Sequence, residues 1–281
     1  MRNTIQQVQD FKNKAERFSV LTAYDYATAR IIDRAGIPLI LVGDSLGNVV
    51  LGYDSTIPVT MDEMVHHTKA VVRGTEKALI IADMPFMTYH ITIEETLRNA
   101  ARFIQEAGAQ AVKLEGGVTV ADKVRKLVDC GIPVMGHIGL TPQSVNQLSG
   151  YKVQGRSLEA AKKLLADARA LETAGAFAVV LETMPTELSA FITAKIGIPT
   201  IGIGAGAGCD GQVQVISDLL GLFTDFVPKH VGQYVNLAGI INEAVTAYDN
   251  DVKSGAFPAQ QQSFDMDDTI FDALRQADEK S

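Results

Sequence analysis

Short apolar runs recur along the chain. Each is closed by polar or charged residues and followed by a stretch with helical spacing. In order they are SVLTAYD (19–25), PLILVGDS (38–45), ALIIADMP (78–85), AVKLEGG (111–117), PVMGHIG (133–139), AVVLETM (178–184) and PTIGIGAG (199–206), with a weaker eighth at DFVPK (225–229). Most are rich in β-branched residues. They are too short for helices and too continuous for strands with one wet face, so they predict strands buried on both sides. The lead-ins repeat as well. Ala35-Gly36-Ile37-Pro38, Cys130-Gly131-Ile132-Pro133 and Ile196-Gly197-Ile198-Pro199 share Gly-Ile-Pro, and Ala107-Gly108-Ala109 and Ala174-Gly175-Ala176 stand in the same place. Glycine there ends a helix with a left-handed cap, and proline starts the strand where no backbone donor is needed.

Helices fit between the runs. Met61, Met64, Val65, Val71 and Val72 mark one helix face, Ala100, Phe103, Ile104 and Ala107 a second, and Leu158, Ala161, Leu164, Leu165, Ala168 and Leu171 a third. Thr60 with Glu63, and Thr92 with Glu95, have the spacing of a capping box. Strand–helix alternation of this kind predicts parallel strands joined by right-handed crossovers. About eight units favour an α/β fold closed as a (β/α)8 TIM barrel over residues 1–258. The alternative, an open doubly wound sheet, would carry a phosphate-binding GxGxxG after its first strand, and here that strand ends in Ala23-Tyr24-Asp25. Residues 259–281 read as an acidic C-terminal tail. They hold six acids and two bases, with Ile270, Phe271 and Leu274 spaced for a short amphipathic helix.

Composition narrows the function. A length of 281 residues suits one barrel, and 47% hydrophobic with 21% charged residues excludes disorder for the bulk of the chain. A net charge of −8 argues against nucleic-acid or anionic-membrane partners, which need clustered positive charge. No apolar run approaches the ~18–20 residues that span a bilayer. The opening MRNTIQQVQDFKNKAERF lacks the apolar core of a secretory signal. Cys130 and Cys209 are too few for a disulfide framework or a zinc site of common spacing. These features predict a soluble cytoplasmic protein.

In a barrel of this kind the chemistry lies at the C-terminal ends of the strands. Those positions hold Asp25, Asp44 with Ser45, Asp83, Lys113 with Glu115, His137 and Glu182. Residues two apart share a strand face, so Lys113 pairs with Glu115, Val42 with Asp44 and Ile81 with Asp83. If Val112 and Leu114 face the helices, Lys113 and Glu115 face the barrel mouth. Any single Asp or Ser after a strand can equally be the N-cap of the next helix. A whole series at successive strand ends points instead to one shared site, because buried charges are costly unless paired or metal-bound. Asp44, Asp83 and Glu115 are hard oxygen donors, the set that suits Mg²⁺ with retained waters. Lys113 is either a Schiff-base lysine or a fixed cation for an anionic substrate, and the carboxylate at i+2 favours the cation. Glu182 stands apart on the sixth strand, where a lone carboxylate suits proton abstraction, or is a paired structural glutamate. His137 reads as a supporting group. Gly202, Gly204, Gly206 and Gly208 form either a phosphate site or a tight turn.

The sequence resembles the ketopantoate hydroxymethyltransferase family through LTAYDY (21–26), LVGDSLG (41–47), GYDSTIPVT (52–60), ADMPFM (82–87), VKLEGG (112–117), GHIGLTPQSVN (136–146), GYKVQGR (150–156), LE (181–182) and IGIGAG with CDGQ (201–212). The resemblance implies a Mg²⁺-dependent (β/α)8 barrel, usually a homodecamer. Its members transfer a hydroxymethyl group from 5,10-methylenetetrahydrofolate to 3-methyl-2-oxobutanoate, giving 2-dehydropantoate on the way to pantothenate. It also implies that Asp44, Asp83 and Glu115 serve the metal and that Glu182 is the catalytic base. Asp44, Ser45, Asp83 and Lys113 match substrate-binding positions, with His137 beside them. The tail after 258 lies beyond the matching stretches, and its role stays open. The nearest rival is the phosphoenolpyruvate mutase and isocitrate lyase group, whose lyase cysteine motif is missing here. A non-catalytic protein on a retained barrel is the rival of another kind, and none of Asp44, Asp83, Lys113 or Glu182 is lost.

Overall fold

A computed structural model describes residues 1–148, 150–224 and 227–280. Eight parallel strands close into a barrel in chain order: β1 (Phe18–Thr22), β2 (Leu39–Val42), β3 (Leu79–Asp83), β4 (Ala111–Glu115), β5 (Val134–Gly139), β6 (Ala178–Glu182), β7 (Thr200–Ile203) and β8 (Gly211–Gln214). The ring shuts where β8 pairs with β1. The longer helices of this unit are α1 (Ile5–Asn13), α2 (Tyr26–Arg34), α3 (Met61–Gly74), α4 (Ile93–Gln105), α5 (Ala121–Asp129), α6 (Leu158–Thr173) and α7 (Thr186–Lys195). The compact unit runs Met1–Tyr234, and a second unit runs Val235–Ser281 with α8 (Leu237–Ser254) and α9 (Asp268–Asp278). The expected boundary at 258 falls inside that second unit, and α9 carries Ile270, Phe271 and Leu274. None of the described residues is in a helix long and apolar enough to cross a membrane.

Two apolar clusters sort the strand faces. Leu39, Leu41, Leu79, Ile81, Ala111, Met135, Ala178, Val180 and Ile201 fill the barrel interior. Ile40, Val42, Ile80, Ala82, Val112, Leu114, Val179 and Leu181 pack outward with the helices. Strands β2, β3 and β4 are buried throughout, as continuous apolar runs require. Helix α1 closes the far end, where Val8 is buried and Phe11 stacks on Phe18 with ring centroids 5.2 Å apart. Lys12 Nζ reaches Asp210 Oδ2 at 2.8 Å and pins that helix to the barrel.

The eighth strand is not where the apolar runs put it. Asp225 and Phe226 lie outside the described residues, and Val227–Lys229 is not a strand. The strand that closes the ring is GQVQ, alternating buried and wetter positions, so it carries no continuous apolar signal. Strand β7 reaches it through residues 204–210 alone, where a parallel crossover usually takes about a dozen residues or more. The glycine run makes this short path fit. A methyl on Gly206 would meet Thr186 at 2.4 Å, and one on Gly208 would meet Ala190 at 2.6 Å, both on α7. Of the Gly-Ile-Pro lead-ins, Gly36 and Gly131 take the left-handed cap, with φ of 85° and 84°. At the third, α7 ends on an extended Ile196, and Gly197 N donates to the Glu172 carboxylate instead. Thr60 and Glu63 form the full capping box, while Thr92 makes the forward half, accepting from Glu95 N at 3.1 Å.

Candidate active site

Strand register assembles the site. Lys113 lies beside Asp83 across β3–β4, Glu115 beside His137 across β4–β5, and Glu182 beside Gly139 across β5–β6. Val112 and Leu114 pack outward, so Lys113 and Glu115 point into the mouth. Asp83 continues the inward face begun by Ile81. Asp44 arrives differently. Val42 faces the helices, and strand alternation would send Asp44 outward with it. But β2 ends at Val42, and the chain turns at Gly43, which has room only for hydrogen: a methyl there would meet Ser45 Oγ at 2.8 Å. The turn brings Asp44 N to donate to Asp83 Oδ2 at 3.1 Å.

The contents are strongly charged and buried. Asp44, Asp83, Lys113, Glu115 and His137 are each no more than 4% exposed. Lys113 Nζ stands 2.8 Å from Asp83 Oδ1, off the hydrogen-bonding direction, so that oxygen has a counter-charge but no aligned donor. Lys113 Nζ also lies 3.3 Å from His137 Nδ1. His137 Nε2 lies 3.1 Å from Glu182 Oε2, again out of line. Glu182 therefore does not stand apart. Burial alone would lower the Lys113 pKa, but the charges of Asp83, Glu115 and Asp44 outweigh it and hold the ammonium above its ordinary pKa. That state is a fixed cation rather than a free amine. Burial, reinforced by the charge of Asp83, pushes Asp44 up to about 7. Burial also raises Glu115 well above the usual carboxylate range, with Asp44, Glu182 and Asp83 adding to it against Lys113.

Of the remaining candidates, Ser45 Oγ is 2.8 Å from Tyr24 Oη and caps nothing. Asp25 is a helix cap: its carboxylate accepts from Thr28 N and Thr28 Oγ1, each at 2.8 Å, and it is exposed. In the Gly202–Gly208 run, Gly206 and Gly208 pack closely on α7, while Gly202 lies against Cys209 and Gln212, and Gly204 against His230 and Thr183. Two residues here lie in stretches quoted from the sequence but were not among its candidates. Gln143 sits in the turn after β5, buried among the carboxylates. Thr183, directly after Glu182, has φ 49°, a costly conformation for a β-branched residue. It is held by Thr183 N to Ile203 O at 2.8 Å and Gln154 N to Thr183 O at 2.9 Å. Among the described residues no three His, Cys, Asp or Glu side chains close a metal cage by themselves. The donor set is all carboxylate oxygen, with one oxygen of Asp83 lacking an aligned donor. That chemistry fits a hard divalent cation that keeps waters and takes further oxygens from a ligand.

A closed parallel barrel with carboxylates, an ammonium and a histidine–glutamate pair at the C-terminal strand ends has the build of an enzyme of the barrel class. Residues 2–260 match the model of the ketopantoate hydroxymethyltransferase family. A 3-methyl-2-oxobutanoate hydroxymethyltransferase of Dehalococcoides mccartyi is 67% identical over 275 residues, covering 98% of this chain and 99% of the relative. One from Chloroflexus aurantiacus is 60% identical over 267 residues, covering 95% and 94%. The chain belongs to the ketopantoate hydroxymethyltransferase family and is an enzyme of the transferase class. Among solved structures, a phosphonopyruvate hydrolase aligns with a TM-score of 0.61 at 12% identity, over 100% of this chain and 96% of that one. A 2,3-dimethylmalate lyase, of the PEP mutase/isocitrate lyase superfamily, aligns at 0.56 and 16%, over 100% and 99%. These two likenesses concern the fold.

Proposed function

We propose that the chain transfers a hydroxymethyl group from 5,10-methylenetetrahydrofolate to 3-methyl-2-oxobutanoate, forming 2-dehydropantoate, with Mg²⁺, in the cytoplasm. This is the first step of pantothenate synthesis, and the chain works as a homo-oligomer, by resemblance a decamer. The observation that carries the reading is the pairing of Lys113 with Asp83 next to the pairing of His137 with Glu182, at 2.8 and 3.1 Å. One pair holds positive charge for an oxo acid's oxygens, and the other holds a base for its carbon acid.

Asp44 and Asp83, with Glu115 as a third carboxylate, would hold Mg²⁺, which when bound polarises the carboxylate and keto oxygens of the oxo acid. Ser45 and Lys113 bind the same substrate, and Lys113 keeps its charge where the enolate oxygen develops. Glu182 removes the C3 proton. His137 stands between Lys113 and Glu182 and fixes the glutamate's position. The enolate carbon then adds to the methylene carbon of the one-carbon donor, and water completes release of tetrahydrofolate. The buried floor under these groups keeps water from quenching the carbanion.

Proton NMR in D₂O tests the reading. The protein is mixed with 3-methyl-2-oxobutanoate, Mg²⁺ and methylenetetrahydrofolate, beside a matched sample in EDTA. Hydroxymethyl signals that vanish with EDTA are expected. C3–H exchange without hydroxymethyl product would keep the enolising half and reject the donor. Neither signal from folded protein would reject the reading and return the oxo-acid lyases and mutases to consideration.

A further inference from the structure

Gln143 occupies an unusual place for an uncharged side chain. Strand β5 ends at Gly139, whose φ of 99° and missing side chain let the chain cross the Glu182 carbonyl; a methyl there would meet Glu182 O at 2.2 Å. Leu140 N then donates to Glu182 O at 2.9 Å, and the turn Pro142–Ser144 drops Gln143 into the mouth. It is 4% exposed, and its polar groups are spent on the site. Its Nε2 donates to Asp44 Oδ2 at 2.8 Å and to Met84 O at 3.0 Å. Its backbone N donates to Glu115 Oε2 at 3.0 Å. Its Oε1 accepts from Tyr89 Oη at 2.7 Å.

This amide has one possible orientation. Asp44 and the Met84 carbonyl are acceptors, so the NH₂ must face them. The Tyr89 hydroxyl accepts from Glu115 N at 3.2 Å, and of the two acceptors for its proton Gln143 Oε1 at 2.7 Å is much nearer than Glu115 O at 3.4 Å. Tyr89 is fully buried and cannot turn to water. One residue thus takes one oxygen from each of two carboxylates and leaves the other oxygen of each unspent by the clamp. Because the clamp is neutral, it separates the acids without cancelling their charge. A lysine in its place would fill the site with a cation of its own.

We infer that Gln143, locked by Tyr89, is the positioning residue of the cation site: it fixes which oxygens of Asp44 and Glu115 are presented to a divalent ion. The inference rests on the Mg²⁺ reading above. Partners of this kind, one shell behind the ligands, typically change metal affinity 10- to 100-fold when removed.

The test is Mn²⁺ binding by the full-length protein without substrates, followed by EPR, with thermal unfolding of the metal-free forms measured in parallel. Gln143→Met keeps the volume and removes the amide. It is expected to raise the Mn²⁺ dissociation constant about 10- to 100-fold and to alter the bound Mn²⁺ spectrum. Tyr89→Phe keeps the ring and unlocks the amide, and should shift both in the same direction by less. A residue that merely packs would lower the melting temperature and leave Mn²⁺ affinity alone. Wild-type affinity and spectrum in Gln143→Met overturn the inference whatever its melting temperature. If Gln143→Met does not fold, wild-type behaviour in Tyr89→Phe overturns it. A wild-type protein that binds no Mn²⁺ overturns the metal reading first and this inference with it.

Discussion

Glu182 and His137 meet across the gap between β5 and β6, and in the proposed reaction one of them must take the C3 proton. The partners decide between them. Lys113 is held as an ammonium, so His137 Nδ1, 3.3 Å away, is the acceptor of that pair. A neutral His137 that accepts there carries its proton on Nε2, on the side of Glu182 Oε2, and has no lone pair to offer that side; Glu115 Oε1 lies 3.5 Å from the same Nδ1. Within the proposed reaction, that assigns the base to Glu182. Glu182→Gln should lower C3–H exchange in D₂O by about 10²–10⁴-fold while Mg²⁺ and oxo-acid binding persist; full exchange in that variant would remove Glu182 from the role. Asp44 gives a pH prediction. Its carboxyl sits at about 7 against an ordinary 3.8, so between those values the folded protein holds more protons than the unfolded chain. Metal-free stability therefore falls as pH rises through that window. A cation that needs ionised Asp44 must displace the proton, so its stabilising effect should grow as pH rises through that window. At a Mg²⁺ concentration of about 100 times its dissociation constant that effect is about 2.7 kcal/mol. Melting curves with and without Mg²⁺ across the window check it, and a pH-independent increment would contradict it. The charged members of this site were legible in the sequence, because charge at the end of an apolar run is conspicuous. The roles of Gln143, though it lies within GHIGLTPQSVN, and of Tyr89 were not, because an amide and a phenol in loops look ordinary until the turn after β5 and the chain after β3 are folded over the mouth. Asp44 was found for a partly wrong reason, since strand alternation stops at Val42 and the turn at Gly43 does the aiming.

At the scale of elements, the link from β4 into α5 shows how the barrel is held at the site. Glu115 is followed by Gly116 at φ 121° and by Gly117, where a methyl would lie 2.1 Å from Asp167 Cβ. The closeness has a purpose. Asp167 Oδ1, on α6, accepts from Val118 N at 2.9 Å and caps the turn that starts the next helix. Lys163 closes the other oxygen at 3.0 Å. Gly117→Ala should therefore force α6 away from β4 and cost about 1–3 kcal/mol in urea unfolding, with Glu115 displaced and Mg²⁺ affinity reduced. Unchanged stability would mean that α6 can shift freely, and that the tie matters little. Strand existence and order were largely readable, because strands buried on both faces must be apolar without a break. The closing strand escaped that test, since Gln212 and Gln214 interrupt GQVQ and only Gly211 and Val213 are buried. In the seventh crossover, where the glycines read equally as a phosphate site or a tight turn, Gly206 and Gly208 let the chain lie against α7.

At the scale of the whole molecule, the second unit poses a problem of solvation. Helix α8 has no buried residue, although Leu237, Ile241, Val245, Tyr248 and Val252 recur along one side at spacings of three and four. Ile241, Val245, Tyr248 and Val252 are 43%, 60%, 57% and 46% exposed in the single chain. An amphipathic stripe of this length is too costly to leave in water and too narrow to form a core of its own. A second copy of the chain is the partner that the proposed homo-oligomer supplies, and closed symmetric assembly would bury every such stripe at once. The barrel unit Met1–Tyr234 has its own interior and outer clusters, so breaking the assembly should leave the strands folded. The double variant Ile241→Asp with Val245→Asp, in the full chain, places two charges on the stripe. Light scattering is expected to show a particle of smaller mass, with far-ultraviolet circular dichroism unchanged. A variant of wild-type mass would take α8 out of the interface, and the stripe would then need an occupant other than another copy of the chain.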